Sequence, residues 1–348
     1  MFELIVTLCL LSAPETCRDV LLPGFERASA AACADAFARR PVDVAALFPD
    51  SHVQGEPRCQ PSGPAAEVQD LSNGVFVFKG AIDEATPQNL GGVSNAGFVV
   101  GGDSVAVIDS GGSRRMGEEL WRSVRAKTDL PVSHVILTHM HPDHVLGTSV
   151  FAEAGARVVG HEKLGPALAD RRDSYMAGFG RLIGDAQFIG TKIVLPDLPV
   201  PGRLEIDLGG RVLDLRSWPT AHTGNDLTVL DPAGGVLFTG DLVFDDHAPA
   251  LDGSVRGWIS VLSEMKMLEI GRIVPGHGGP VLNWPSGAQD LDRYLEVLAA
   301  DTRAAIGRGD PLSTAASNIA ASEAENWQLF DLFNARNATV AYTELEWE

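Results

Sequence analysis

The stretch Leu137–Gly147, LTHMHPDHVLG, sets three imidazoles and a carboxylate within six positions: His139, His141, Asp143 and His144. Nitrogen and carboxylate-oxygen donors of this kind suit zinc, iron and manganese. The preceding HVILT reads as a buried β-strand, so the cluster is expected where that strand ends. In an HxHxDH stretch alternate residues of an extended chain project to one side, so His139 and His141 are expected to grip one ion. Asp143 and His144 follow as the chain turns through Pro142 and face a second.

Three later residues complete the pattern: His222 in SWPTAHTGNDLTV, Asp241 in LFTGDLVF and His277 in RIVPGHGGP. Each follows an expected strand beside Gly or Thr, and loops on a rigid scaffold are where binding sites are built. The expected set is His139, His141 and His222 on one ion, Asp143, His144 and His277 on the other, with Asp241 bridging. An open position, here for a shared water, separates a catalytic site from a closed structural one. Two ions lower the pKa of a shared water from about 15.7 towards neutrality. The expectation is a bridging hydroxide attacking a substrate carbonyl, with Asp143 orienting it and carrying the proton to the leaving group. No GxSxG serine elbow offers a rival nucleophile.

The elements that must position these residues alternate along the chain. Residues 74–80 and 96–111 read as a strand and a hairpin, 114–128 as a helix, HVILTH as a strand, and 161–190 as mostly helical. The second half repeats strands, then helices over 255–270 and 285–309. Two successive β-then-α halves predict an α/β (α+β) four-layer αββα sandwich over 70–309. The tail 310–348 is apolar enough to dock on it as a helical segment. Substrate selection is expected from 161–190 and 242–256, with Tyr175 and His247 lining the pocket. Tyr175 and Met176 also fit helical core spacing, and His134 and His161 read as structural.

The chain has 348 residues, 45% apolar and 21% charged, with a net charge of −19. That composition excludes wholesale disorder, and the acidity disfavours nucleic acid, whose phosphates need clustered Lys and Arg. The apolar run Leu4–Ala13 is shorter than the roughly 20 residues a membrane span needs, so no stable span is expected. Residues 1–16 read as a candidate signal peptide, imperfect because Glu3 stands where Lys or Arg is usual. Residues 17–69 read as a Cys-containing extension and linker. If the leader is cleaved, Cys17, Cys33 and Cys59 remain, an odd set allowing one disulfide or leaving unpaired thiols.

THMHPDH followed by AHT, TGD and PGHG resembles the metallo-β-lactamase superfamily from about residue 70 to 300. CRDVLLPG near the start, PALDGSVRGW after Asp241 and the closing ELEWE resemble its quinoprotein relay system zinc metallohydrolases, exported proteins similar to the SoxH group. The resemblance implies the four-layer fold, a periplasmic dizinc hydrolase of ester, lactone, thioester or amide bonds in a small molecule, and association with a quinoprotein system. Asp241 stands where zinc β-lactamases usually carry Cys or Ser, which argues against a dedicated β-lactamase. The acidic ELEWE argues against a glutathione-thioester hydrolase, and His141 against the HxExD diiron relatives. Two alternatives stay open. One is a mononuclear Fe2+ persulfide dioxygenase using His139, His222 and Asp241, and the other a non-catalytic metal-binding accessory protein of a quinoprotein system.

Overall fold

The computed structural model describes residues 1–348. Three sheets organise it. The first is β2 (Cys17–Arg27), β1 (Phe2–Leu10) and β3 (Ser51–Pro61), antiparallel with β1 in the middle. Helices α1 (Ala30–Arg39) and α2 (Val44–Leu47) connect its strands β2 and β3.

The second sheet runs β10-β9-β8-β7-β6-β5-β4. Its strands are β4 (Val68–Asp70), β5 (Val75–Phe78), β6 (Ala96–Val100), β7 (Val105–Ile108), β8 (Val132–Leu137), β9 (Arg157–His161) and β10 (Leu198–Val200). Between them lie α3 (Arg114–Lys127), α4 (Pro142–Val145), α5 (Thr148–Glu153), α6 (Leu164–Ile183) and α7 (Asp185–Phe188). The third sheet runs β11 (Arg203–Asp207), β12 (Val212–Ser217), β13 (Leu227–Asp231), β14 (Val236–Phe244), β15 (Arg272–His277) and β16 (Leu282–Asn283) in sequence order. Helices α8 (Val255–Met265), α9 (Gln289–Arg308), α10 (Leu312–Ala315) and α11 (Phe330–Leu345) complete the chain.

Central strands β7 and β14 are buried along their whole length, as strands covered on both faces must be. Val77, Val99, Ile108, Ile136, Leu215 and Phe238 interlock in the core between the second and third sheets. Met116, Trp121 and Phe151 cover the far side of the second sheet. Trp258, Leu291, Leu295 and Ala341 cover that of the third. The expected αββα sandwich is therefore present. Helix α9 ends at Gly309, whose φ of +73° suits glycine, and α11 packs back on it. The helix expected over 255–270 stops sooner, at Met265.

The N-terminal seventy residues differ most from expectation. Residues 1–16, read as a candidate signal peptide, contain β1, the middle strand of the first sheet. The Pro/Gly-rich stretch read as a linker forms β3, including His52. Glu3, fully buried, takes two hydrogen bonds from Arg122 at 2.8 and 3.0 Å, which is why an acid is tolerated in an apolar strand. Arg18 reaches Glu118 at 2.9 Å, and Arg114 donates to the Leu21 carbonyl at 2.8 Å, so charged side chains dock the extension onto α3. The expectation of one disulfide is corrected to two, Cys9–Cys17 and Cys33–Cys59, leaving no free thiol. The first eluded the sequence reading because it needs a cysteine assigned to the leader.

Candidate metal centre

Strand β8 delivers Thr138 and His139 to the sheet edge, and His141 follows in the loop. Pro142 starts α4, where its fixed φ is pre-organised for the first helical position. Asp143 and His144 therefore sit on that one turn of helix, and Ser94 Oγ donates to the Asp143 carbonyl at 2.7 Å. His222 lies between β12 and β13, and His277 ends β15. Asp241 was expected just beyond a strand; it lies inside β14, which is irregular around Gly240. Gly240 has φ +51°, and a Cβ on Gly276 would stand 1.9 Å from Asp241 Oδ1, so both glycines are required for this carboxylate to turn inward.

All seven expected ligand residues meet. One donor atom from each of His139, His141, His222 and Asp241 lies within 4.8 Å of the others, and the same holds for Asp143, His144 and His277. His141 Nδ1 is 3.1 Å from His139 Nε2 and 3.0 Å from His222 Nε2. Asp241 stands between the groups, with Oδ1 3.1 Å from His144 Nε2 and Oδ2 3.4 Å from both His222 Nε2 and His277 Nε2. Asp143 Oδ2 is 3.4 Å from His277 Nε2 and 3.5 Å from His144 Nε2.

Two atoms test whether this cage fits cations. His144 Nε2 and Asp241 Oδ1 are buried and face each other, yet neither makes a hydrogen bond. Buried polar atoms left so are costly in an otherwise satisfied interior. A cation between them supplies the missing partner, and the nitrogen and carboxylate donors suit a divalent transition metal. The residues fit the group.

Each histidine is aimed by the nitrogen that faces away from the cage. His144 Nδ1 donates to Asp109 Oδ2 at 2.8 Å, and His277 Nδ1 to the Val93 carbonyl at 3.0 Å. His222 Nδ1 donates to the Ala250 carbonyl at 2.6 Å, and His141 Nε2 lies 3.4 Å from Asp252 Oδ2. Thr138 Oγ1 donates to Asp109 Oδ2, so it accepts from His139 Nδ1 at 3.0 Å. Such outer partners fix which ring nitrogen keeps its lone pair for a metal. Asp109 and Asp252 escaped the sequence reading. Asp109 carried a usable signal, since VIDSGG ends a strand with an aspartate just as LFTGD does. Asp252 and its clamp carried none: Asn337 of α11, fully buried, accepts from Leu251 N at 2.9 Å and donates to the Pro249 carbonyl at 2.6 Å.

Charge is distributed unevenly over the cage. Burial, helped by the neighbouring imidazoles, holds His139 well below the usual histidine range and His222 at about 3. Burial also opposes charge on His144 and His277, but the carboxylates around them win. His144 is held well above its usual value and His277 at about 9, chiefly by Asp241. Against their own burial, Asp143 and Asp241 are held low by His144 and His277.

The cage opens into a cavity of about 570 Å³. His247 and Tyr175 line it, the His247 ring tilted against that of His277 with centroids 4.6 Å apart and its pKa brought to about 4 by burial. Met176 instead packs on the core beside α3. His134 hydrogen-bonds Ser133, and His161 accepts from Lys163 N; neither reaches the cage. Both segments expected to select substrate contribute, 161–190 through α6 and 242–256 through Phe244, His247, Ala250 and Asp252. Leu332, Phe333 and Arg336 of α11 form a wall that the sequence reading did not assign.

A model of the metallo-beta-lactamase superfamily matches residues 90–277, more than half of the chain. The chain is 26% identical over 182 residues to a metallo-beta-lactamase type 2 of Bacillus sp. (strain 170), covering 50% of this chain and 62% of that one. It is 20% identical over 234 residues to the linear primary-alkylsulfatase of Pseudomonas sp. (strain ATCC 19151), covering 56% and 42% respectively. The chain spans about half the length of the curated relatives it matches. The solved metallo-beta-lactamase from Pontibacter korlensis aligns with a TM-score of 0.54 at 22% identity, over 66% of this chain and 98% of that one. Metallo-beta-lactamase IND-7 aligns with 0.52 at 19%, over 66% and 97%. These likenesses are of fold.

Proposed function

The chain belongs to the metallo-beta-lactamase superfamily, and from that membership and the geometry of its cage we propose that it is a dizinc hydrolase of a small-molecule ester, lactone, thioester or amide. The carrying observation is the meeting of seven histidine and aspartate residues, two of which, His144 and Asp241, bring buried atoms without a partner. His139, His141 and His222 would hold one ion, Asp143, His144 and His277 the other, with Asp241 shared. When bound, such a pair supplies an acidified water and polarises a scissile carbonyl.

The rest falls to the chain's own residues. Asp109, Thr138, Asp252 and the Ala250 carbonyl keep the imidazoles aimed, and Phe244 and His247 wall the site beside His277. Both Asp143 and Asp241 line the cavity, and at 13% against 3% the Asp143 side chain is the more exposed to a substrate. We assign it the proton transfer: its carboxylate oxygen takes a proton from the attacking water and passes it to the leaving group. The proposal includes a periplasmic setting beside a quinoprotein system. Two disulfides favour an oxidising compartment, and the quinoprotein association rests on the sequence resemblance alone. No helix is long and apolar enough to cross a membrane.

The test is a metal count on protein purified without added metal, with a turnover screen of esters, thioesters, lactones and β-lactams. Two zinc ions per chain and a turnover lost on chelation are expected. One iron with oxygen uptake would replace the proposal by the dioxygenase, and a metal-loaded protein that turns nothing over would leave the accessory protein.

A further inference from the structure

Helix α6 crosses the mouth of the cage. At Arg171 it meets Asp252, with Nη2 3.9 Å from Oδ2, and at its far end Ile183 packs against Gly91 of the loop before β6. Arg171, Tyr175, Phe179 and Leu182 are spaced three and four apart, so one face of the helix lines the cavity. That face is about 16 Å long at 1.5 Å per residue. Leu332 and Phe333 of α11 line the same cavity.

Two of these side chains are exposed as few large apolar residues here are: Leu182 at 43% and Leu332 at 48%. They come from positions far apart in sequence and frame one opening, and an apolar rim on a concave site marks binding rather than scatter. The charges around it narrow the ligand. Arg171 and Arg336 both lean towards one carboxylate, Asp252, with Arg336 Nη2 3.4 Å from Oδ1, so their charge is partly offset at the inner end of the cavity. Asp83 and Glu84, exposed on the loop against which α6 ends, would repel one.

Building on the hydrolase reading, we infer that the substrate carries an extended, uncharged apolar acyl or aryl group, laid along α6 between Tyr175, Phe179 and Leu182 on one side and Leu332 and Phe333 on the other. The scissile carbonyl then lies at the cage and the apolar group runs outward past the leucines. A terminal carboxylate on that group is rejected.

The test uses the zinc-loaded full chain and 4-nitrophenyl esters. kcat/KM for the octanoate should exceed that for the acetate by about tenfold or more, from the methylenes removed from water. The monoester of suberic acid, which ends the chain in a carboxylate, should fall below the octanoate by a similar factor. Joint replacement Leu182→Ser and Leu332→Ser, at half-exposed positions that folding tolerates, should bring the octanoate-to-acetate ratio down towards one. Met267→Ser, at a remote site 81% exposed, should leave it unchanged. No gain with chain length, a gain that the double variant keeps, or an equally good carboxylate ester would overturn the inference. Should neither 4-nitrophenyl ester be cleaved, the hydrolase reading is decided by the wider turnover screen, and calorimetry with octanamide against acetamide decides this inference. Tighter octanamide binding that the double variant loses upholds it, and equal affinities overturn it.

Discussion

In the Asp143–His144–His277 triad the outward imidazole nitrogens reach the Asp109 carboxylate and the Val93 carbonyl, both in the first half of the chain. In the His139–His141–His222 triad two of the three outward contacts go to one loop, through Ala250 and Asp252. That loop is tied down by Asn337, on a helix outside the residues matched by the superfamily model. One triad is thus held by Asp109 at the end of β7 and by Val93 just before β6, and the other largely by a loop that borrows its rigidity from the last helix. Outer partners of metal ligands typically govern about 10–100-fold in affinity, so the two halves should respond to different substitutions.

Asp109→Asn should have the largest effect, because Asp109 serves His144 directly and His139 through Thr138. The φ of +58° there is tolerated by Asn, so the backbone survives. An amide N–H opposite Nδ1 drives His144 to the tautomer that protonates Nε2, the nitrogen needed in the cage. Zinc affinity, read by chelator competition, should fall about 100-fold at the ion of Asp143, His144 and His277, and less at the other. An unchanged affinity there would remove Asp109 from the account.

Asp252→Asn should reverse the order of sensitivity. It weakens the hold on His141 Nε2 and releases Arg171 and Arg336. Loss of about tenfold is expected at the ion of His139, His141 and His222, with the other constant kept. Equal losses at both would mean that the cage moves as one piece and that the contrast between the triads is false.

The same contrast explains what the sequence disclosed. His139, His141, Asp143 and His144 share one short stretch, and His222, Asp241 and His277 keep to strand ends beside glycine, so the cage was readable from residue type and spacing. Asp252 and Asn337 could not be found that way, since their work depends on α11 packing back on a loop 86 residues upstream. The sandwich was readable from alternating strands and helices. The first sheet was not, because the buried pairing of Glu3 with Arg122 spans 119 positions and leaves no local periodicity.

Asn337→Ala should have the smallest effect on the cage and is the sharpest test of borrowed rigidity. It strips Leu251 N and the Pro249 carbonyl of their partners in a buried setting, costing about 1–3 kcal/mol of stability. A lower Tm alone would not show that the helix supports the metal site. Asn334→Ala supplies the comparison. Asn334 accepts from Tyr294 OH at 2.8 Å and donates to the Ile319 carbonyl at 2.9 Å, in the same buried network but away from the loop. Both variants should melt lower by similar amounts. Only Asn337→Ala should weaken the ion of His139, His141 and His222, and by less than the roughly tenfold expected for Asp252→Asn. If both variants weaken that ion alike, its loss follows global stability, and the last helix holds the fold without aiming the ligands.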